Sequence, residues 1–199
     1  MIKKLSRYLK EYKKPAILTP IFVILEVVME VLIPYLMAKI IDVGINNGDV
    51  QYIIKIGTFL ILSAMLSLAF GMLSGRFAAK ASAGFSKNLR REMFHKIQDY
   101  SFENINKFST SSLVTRMTTD VTNVQMAFQM IIRILVRGPV MMLFALLMVL
   151  SISPKLSLVY IVAIILLGIV LIYIALKAHP NFEKVFKKYD HLNLSLIHI

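Results

Sequence analysis

The stretch Ser101–Asp120, SFENINKFSTSSLVTRMTTD, decides how this chain is read. It carries charge, and it is crowded with small hydroxyl residues that suit helix starts better than helix interiors. It also separates two long apolar runs. No proline occurs between Pro34 and Pro139, so the segments on either side can both be long helices. The stretch reads as a connector between two helices that protrude from a membrane, held far enough from the bilayer to touch another protein.

Outward from the connector, the apolar residues gather in four blocks, which predict membrane spans at about 15–37, 53–75, 134–152 and 156–176. A hydrocarbon core of ~30 Å needs about 20 helical residues. The third block reaches that length only by taking in residues upstream of Gly138. The chain is 57% hydrophobic and 17% charged, whereas a soluble domain carries about 25% charged residues. The expected fold class is an all-α polytopic membrane protein.

The net charge of +12 would suit a nucleic-acid partner, but its distribution argues against one. Of the 23 basic residues, 20 lie before the first block, between the second and third, or after the fourth. That alternation is what the positive-inside rule expects when the N-terminus and the Ser101–Asp120 connector share the cytoplasmic side. Residues 1–14 place Leu5, Tyr8, Leu9 and Tyr12 on one face among lysines and an arginine, which predicts a basic amphipathic elbow helix at the interface.

Glu26 and Glu30 lie four residues apart inside the first block, on one helix face. An ionised carboxylate at mid-membrane costs about 2.5–3.5 kcal/mol even on the lenient insertion scale, so both should face protein or water. They are candidates either for a cavity surface that meets a substrate or for a polar contact with another helix. Arg133 and Arg137 share the same spacing near the start of the third span. Arg137 lies 17 residues before Pro154, about 25 Å of helix, which suits anchoring at the inner headgroups. Glu26 and Glu30 fall roughly 16–22 Å beyond Pro15. This count argues against direct pairing of the two sets.

Beyond the second span, Phe77, Ala81, Phe85, Leu89, Met93 and Ile97 recur at helical spacing, which predicts an amphipathic extension with Gly84 as a weak interruption. Leu113, Met117, Val121, Val124, Phe128, Ile131 and Leu135 form a second stripe past the connector. Gly71 and Gly75 make a small-xxx-small pair suited to close helix approach. Asn46-Asn47-Gly48 supplies turn chemistry to the short outer loop, and a bend is expected at Pro180. The chain has no cysteine, phosphate-binding loop or HExxH motif, and its four histidines are scattered, so no metal site and no self-contained catalytic cycle are expected.

Taken together, the elbow, the Glu-bearing first span, the long helices flanking SFENINKFSTSSLVTRMTTDVTNVQ, the segment RILVRGPVMML and the short SISPKLSL turn resemble the exporter-type ATP-binding cassette transporters. The likeness is greatest to half-transporters of bacterial heterodimeric multidrug exporters, and it covers about residues 1–193. It implies the first four of six spanning helices: an elbow over 1–14, then a partial transmembrane domain over 15–193. Residues 101–112 would be its coupling connector, with Phe102, Ile105, Asn106, Lys107 and Phe108 as contact positions for a nucleotide-binding domain. ATP and Mg2+ would belong to that domain, and this chain would hold no cofactor.

The other partners the resemblance implies are a second, non-identical half-transporter, the lipid bilayer and a lipophilic small-molecule substrate. The location would be the inner membrane, with a cytoplasmic N-terminus. LSLIHI, residues 194–199, neither continues the charge pattern nor completes a span, so the family pattern is expected to break off near residue 193. The residues alone leave two other readings open: a stand-alone four-span scaffold, and part of an ion-coupled transporter using Glu26 and Glu30 as proton sites.

Overall fold

The computed structural model describes residues 6–100 and 110–198, with side chains over 8–100 and 112–178. The described residues are helical apart from short turns, and none is in a strand. Four helices are long and apolar enough to cross a membrane. The chain forms two units, residues 1–145 and 146–199.

In the first unit, the elbow Ser6–Tyr12 is a 3-10 helix broken at Lys10. Lys10 is the one described non-glycine residue with positive φ, at 35°. The chain then enters helix α1, Lys13–Lys39, so Pro15 falls in the first turn, where its missing N–H costs little. Pro20 and Pro34 are both accommodated within α1. A π-helical turn, Ile40–Ile45, prolongs α1 and shortens the expected outer loop to 46–49. There Gly48 takes φ 67°, the left-handed conformation that the Asn-Asn-Gly sequence anticipates. Asp49 then caps helix α2, its side chain accepting a hydrogen bond from the Tyr52 backbone N–H at 2.9 Å.

Helix α2, Val50–Gln98, is continuous over 49 residues. It packs antiparallel to α1: the Phe22 ring stacks on Phe77 at 5.4 Å and meets Phe70 at 6.2 Å. Val23, Val27 and Val31 of α1 are buried. On α2, Ala78, Ala81, Ser82, Gly84 and Phe85 are buried, a run of mostly small residues that lets helices approach from two sides.

Gly84 does not interrupt the helix, as its sequence context had suggested. A Cβ there would overlap the Tyr12 ring, so the glycine seats the elbow. Asn88 Nδ2 donates to the Tyr8 carbonyl at 2.9 Å, and Lys10 pairs with Glu92 at 2.6 Å. The elbow therefore docks on the extension of α2.

Helix α3 starts at Thr110, within the hydroxyl-rich stretch, and runs to Ile152 through two π-helical segments, Arg116–Asp120 and Ile131–Leu135. It packs antiparallel to α2. Phe85 stacks on Phe128 at 4.8 Å, Ser82 Oγ lies 3.2 Å from Gln129 Oε1, and Arg90 donates to the Met117 carbonyl and to Thr122 Oγ1. A π turn accommodates an extra residue and shifts the faces that follow. The expected apolar stripe holds at Val121, which is 2% exposed, is already exposed at Val124, at 38%, and fails at Ile131 and Leu135, which are 54% and 67% exposed. The inward positions become Gln129, Arg133 and Arg137 instead.

In the second unit, helix α4, Pro154–His198, opens with Ser157 Oγ donating to the Pro154 carbonyl at 2.6 Å. It is helical through Pro180, where a bend was expected, and through the LSLIHI segment as far as His198.

Candidate functional site

The site is assembled from one face each of α1, α2 and α3. On α1, Glu26 and Glu30 stand one turn apart, as their spacing dictates. On α2, Gly71 faces Glu26: a Cβ at Gly71 would lie 3.1 Å from Glu26 Oε1 and 3.3 Å from its carboxyl carbon. The missing side chain is what admits the carboxylate. The Ser74 hydroxyl sits 2.9 Å from the Gly71 carbonyl and 3.4 Å from Glu26 Oε2, so its single proton serves mainly the backbone.

On α3, Arg137 closes the arrangement. Its Nη1 donates to Glu26 Oε1 and its Nη2 to Glu30 Oε2, each at 2.7 Å. One guanidinium fork thereby bridges two carboxylates, using the planar geometry that distinguishes arginine from lysine. The Glu26 side chain is 10% exposed, against 36% for Glu30 and 38% for Arg137.

This pairing corrects the expectation drawn from depth. Counting residues from helix ends assumes upright helices that begin at the bilayer edge, and it ignores the reach of a long side chain. The π turn Ile131–Leu135 adds a further rotation that no count from Pro154 includes. Arg137 is engaged by carboxylates on α1. Arg133, one turn earlier, stands by α2, its Nη1 3.7 Å from where a Gly75 Cβ would be.

Beside the fork lies a cavity of about 710 Å³, lined by Glu26, Glu30, Gly71, Gly75, Arg76 and Arg133, with apolar residues at its other end. Both readings of the two glutamates thus meet in one place: they contact another helix and they line a cavity. The arrangement can tie three helices together and present polar groups to a ligand. Among the described residues no cluster of side chains could hold a metal ion. Phe102, Ile105, Asn106, Lys107 and Phe108 lie outside the described residues.

Sequence reasoning missed Ser74 and the role of Gly71, and it placed Arg137 elsewhere. One available signal pointed to Arg137, since carboxylates within a span require a partner and few cations in the chain lie near enough to supply one.

The family model of the ABC transporter transmembrane region matches residues 16–198. The chain is 35% identical over 192 residues, 96% of its length, to YfiB of Bacillus subtilis (strain 168), an uncharacterized ABC transporter ATP-binding protein. It is 25% identical over 195 residues, 98% of its length, to the ATP-dependent lipid A-core flippase of Pseudoalteromonas translucida (strain TAC 125). The matched regions amount to 34% and 32% of those relatives, so the chain spans about a third of their length.

Proposed function

Because the chain belongs to the transmembrane region of the ABC transporters, a multi-pass membrane family, we propose that it is the first four of six spans of an ATP-driven exporter for lipophilic small molecules. The observation that carries this reading is the length and continuity of α2. Its 49 residues extend about 73 Å at 1.5 Å per residue, more than twice the ~30 Å hydrocarbon core. With α3 packed antiparallel along it, the pair forms a stiff lever whose joining corner falls well outside the bilayer.

On this reading the corner faces the cytoplasm, as does the N-terminus, in the inner membrane. Phe102, Ile105, Asn106, Lys107 and Phe108 rest on a nucleotide-binding domain that binds ATP and Mg2+ and is distinct from residues 1–199. That the similar proteins carry ATP-binding names supports such a partner domain. A second, non-identical half-transporter completes the pathway. ATP-driven closure of the two nucleotide-binding domains moves the corner, and the levers convert that motion into opening of the cavity to one side or the other. Arg133 marks the inner boundary of the span, and Glu26 and Glu30, held by Arg137, face the pathway.

The test is Phe108→Asp in the full-length protein. ATP hydrolysis should persist while transport into inverted vesicles falls, and unchanged transport would count against the coupling role. Labelling of a single cysteine placed in residues 101–109 only from outside the cell would overturn the topology.

A further inference from the structure

The cavity beside the fork has a charge balance and a polarity gradient that together specify a ligand. Of the charged groups around it, Glu26 and Glu30 are both satisfied by Arg137. Arg76 and Arg133 also line the cavity and make no ion pair with a described residue. Two carboxylates and three guanidiniums leave one positive charge; both carboxylates line the space but are engaged by Arg137, whereas Arg76 and Arg133 line it with no carboxylate partner among the described residues.

The charges also have a direction. The α2 lining residues run from Ala64 to Arg76, a span of about 18 Å. Because α1 is antiparallel to α2, Ile33 joins Ala64 and Leu68 at the apolar end, while Arg76 and Arg133 mark the other.

We propose that this cavity binds an amphiphile with a net-anionic phosphate headgroup, the phosphate held by Arg76 and Arg133 and the acyl chain along Ile33, Ala64 and Leu68, so that a zwitterionic headgroup, whose own cation offsets the phosphate, binds less well. The inference rests on the exporter reading only for its orientation, which sets the headgroup at the inner face. Basic pockets between spanning helices on that side suit anionic headgroups. A guanidinium offers a phosphate two parallel N–H donors, and at Gly75, the residue before Arg76, the missing side chain leaves room for Arg133, whose Nη1 lies 3.7 Å from where a Cβ would be. A lipophilic cation is disfavoured, since Arg137 already occupies the carboxylates and the remaining charge repels it.

Lipid retention by the full-length protein, purified in detergent and examined by native mass spectrometry, tests this without requiring ATP hydrolysis. A failed binding result and a failed transport result are therefore distinguishable. The probes are phosphatidylglycerol, phosphatidylcholine and inorganic phosphate. Phosphatidylglycerol should be retained in preference to phosphatidylcholine.

The Arg76→Gln/Arg133→Gln double variant should weaken that retention about 30-fold, at roughly 5-fold per arginine. Arg76→Lys/Arg133→Lys should recover part of it. Millimolar inorganic phosphate that fails to compete identifies the whole amphiphile as the ligand, whereas competition identifies the phosphate group alone as sufficient. Both support the anion site. Equal retention of the two lipids, or retention unchanged in the glutamine variant, would overturn it.

Discussion

Arg137 on α3 donates to Glu26 on α1 at 2.7 Å across 111 residues of chain, and the same guanidinium reaches Glu30 at 2.7 Å. This fork is the one ion-paired link between α1 and α3 among the described residues. Removing the arginine should therefore do more harm than removing the whole set of charges.

Breaking a buried pair by deleting one partner costs about 3–5 kcal/mol, and an exposed pair is worth about 0–1 kcal/mol. With Glu26 buried and the other two groups about one-third exposed, Arg137→Gln should cost about 2 kcal/mol. The triple variant Glu26→Gln/Glu30→Gln/Arg137→Gln should recover most of that loss. Thermal unfolding in detergent reads both, and a triple variant no more stable than the single one would contradict the fork as drawn.

Two glycines should respond in opposite directions to the same substitution. Gly71→Ala drives a Cβ to 3.1 Å from the Glu26 carboxylate, which Arg137 holds in place, and should destabilise by about 1–3 kcal/mol. Gly57→Ala meets nothing within 4 Å and should stabilise by about 0.5–1 kcal/mol through helix propensity. Comparable unfolding temperatures for the two variants would refute the seating of Glu26 on Gly71.

Docking of the elbow depends on the space at Gly84. Gly84→Ala should push the Tyr12 ring away and loosen the backbone where the elbow meets α1, so that trypsin cuts faster after Lys13, whose side chain is already exposed. Adding Tyr12→Ala should not restore protection, because the docking ring is then gone, whereas Asn88→Ala alone should lose only the hydrogen bond to Tyr8, about 1 kcal/mol. The Lys10–Glu92 pair is exposed, so high salt should weaken it with little effect on cleavage. Equal trypsin sensitivity of wild type and Gly84→Ala would show that the elbow is held by other means.

The π turn Ile131–Leu135 delivers Arg137 to its partners. Deleting Ile134 should convert it to an ordinary α turn and rotate the residues beyond it by roughly 100°. The deletion should then match or exceed the destabilisation of Arg137→Gln. Combined with Arg137→Gln the total should fall short of the sum of the two single effects, since the ion pairs can be lost only once. Full additivity would mean that the turn does not set the fork.

Much of the fold follows from local pattern. Spans are legible because a bilayer demands a minimum apolar length, and the amphipathic extension at Ala81, Phe85 and Leu89 because a helix repeats every 3.6 residues. The turn at Gly48 was equally visible, since few residues tolerate its backbone conformation. Sequence by itself thus determined which segments are long and apolar enough to cross, that α2 continues past its apolar block, and that Glu26 and Glu30 share a face.

The tertiary structure alone decided who answers them. The stripe read along α3 fails at Ile131 and Leu135 because a π turn shows in no residue pattern, and it persists only where neighbouring helices reward the altered register. Gly71 and Gly84 look like ordinary membrane glycines until Glu26 and Tyr12 are seen to fill the space above them. Periodicity is a property of one helix, whereas ion pairs and seats belong to the contacts between helices, and those depend on rotations and depths that counting along the chain does not contain.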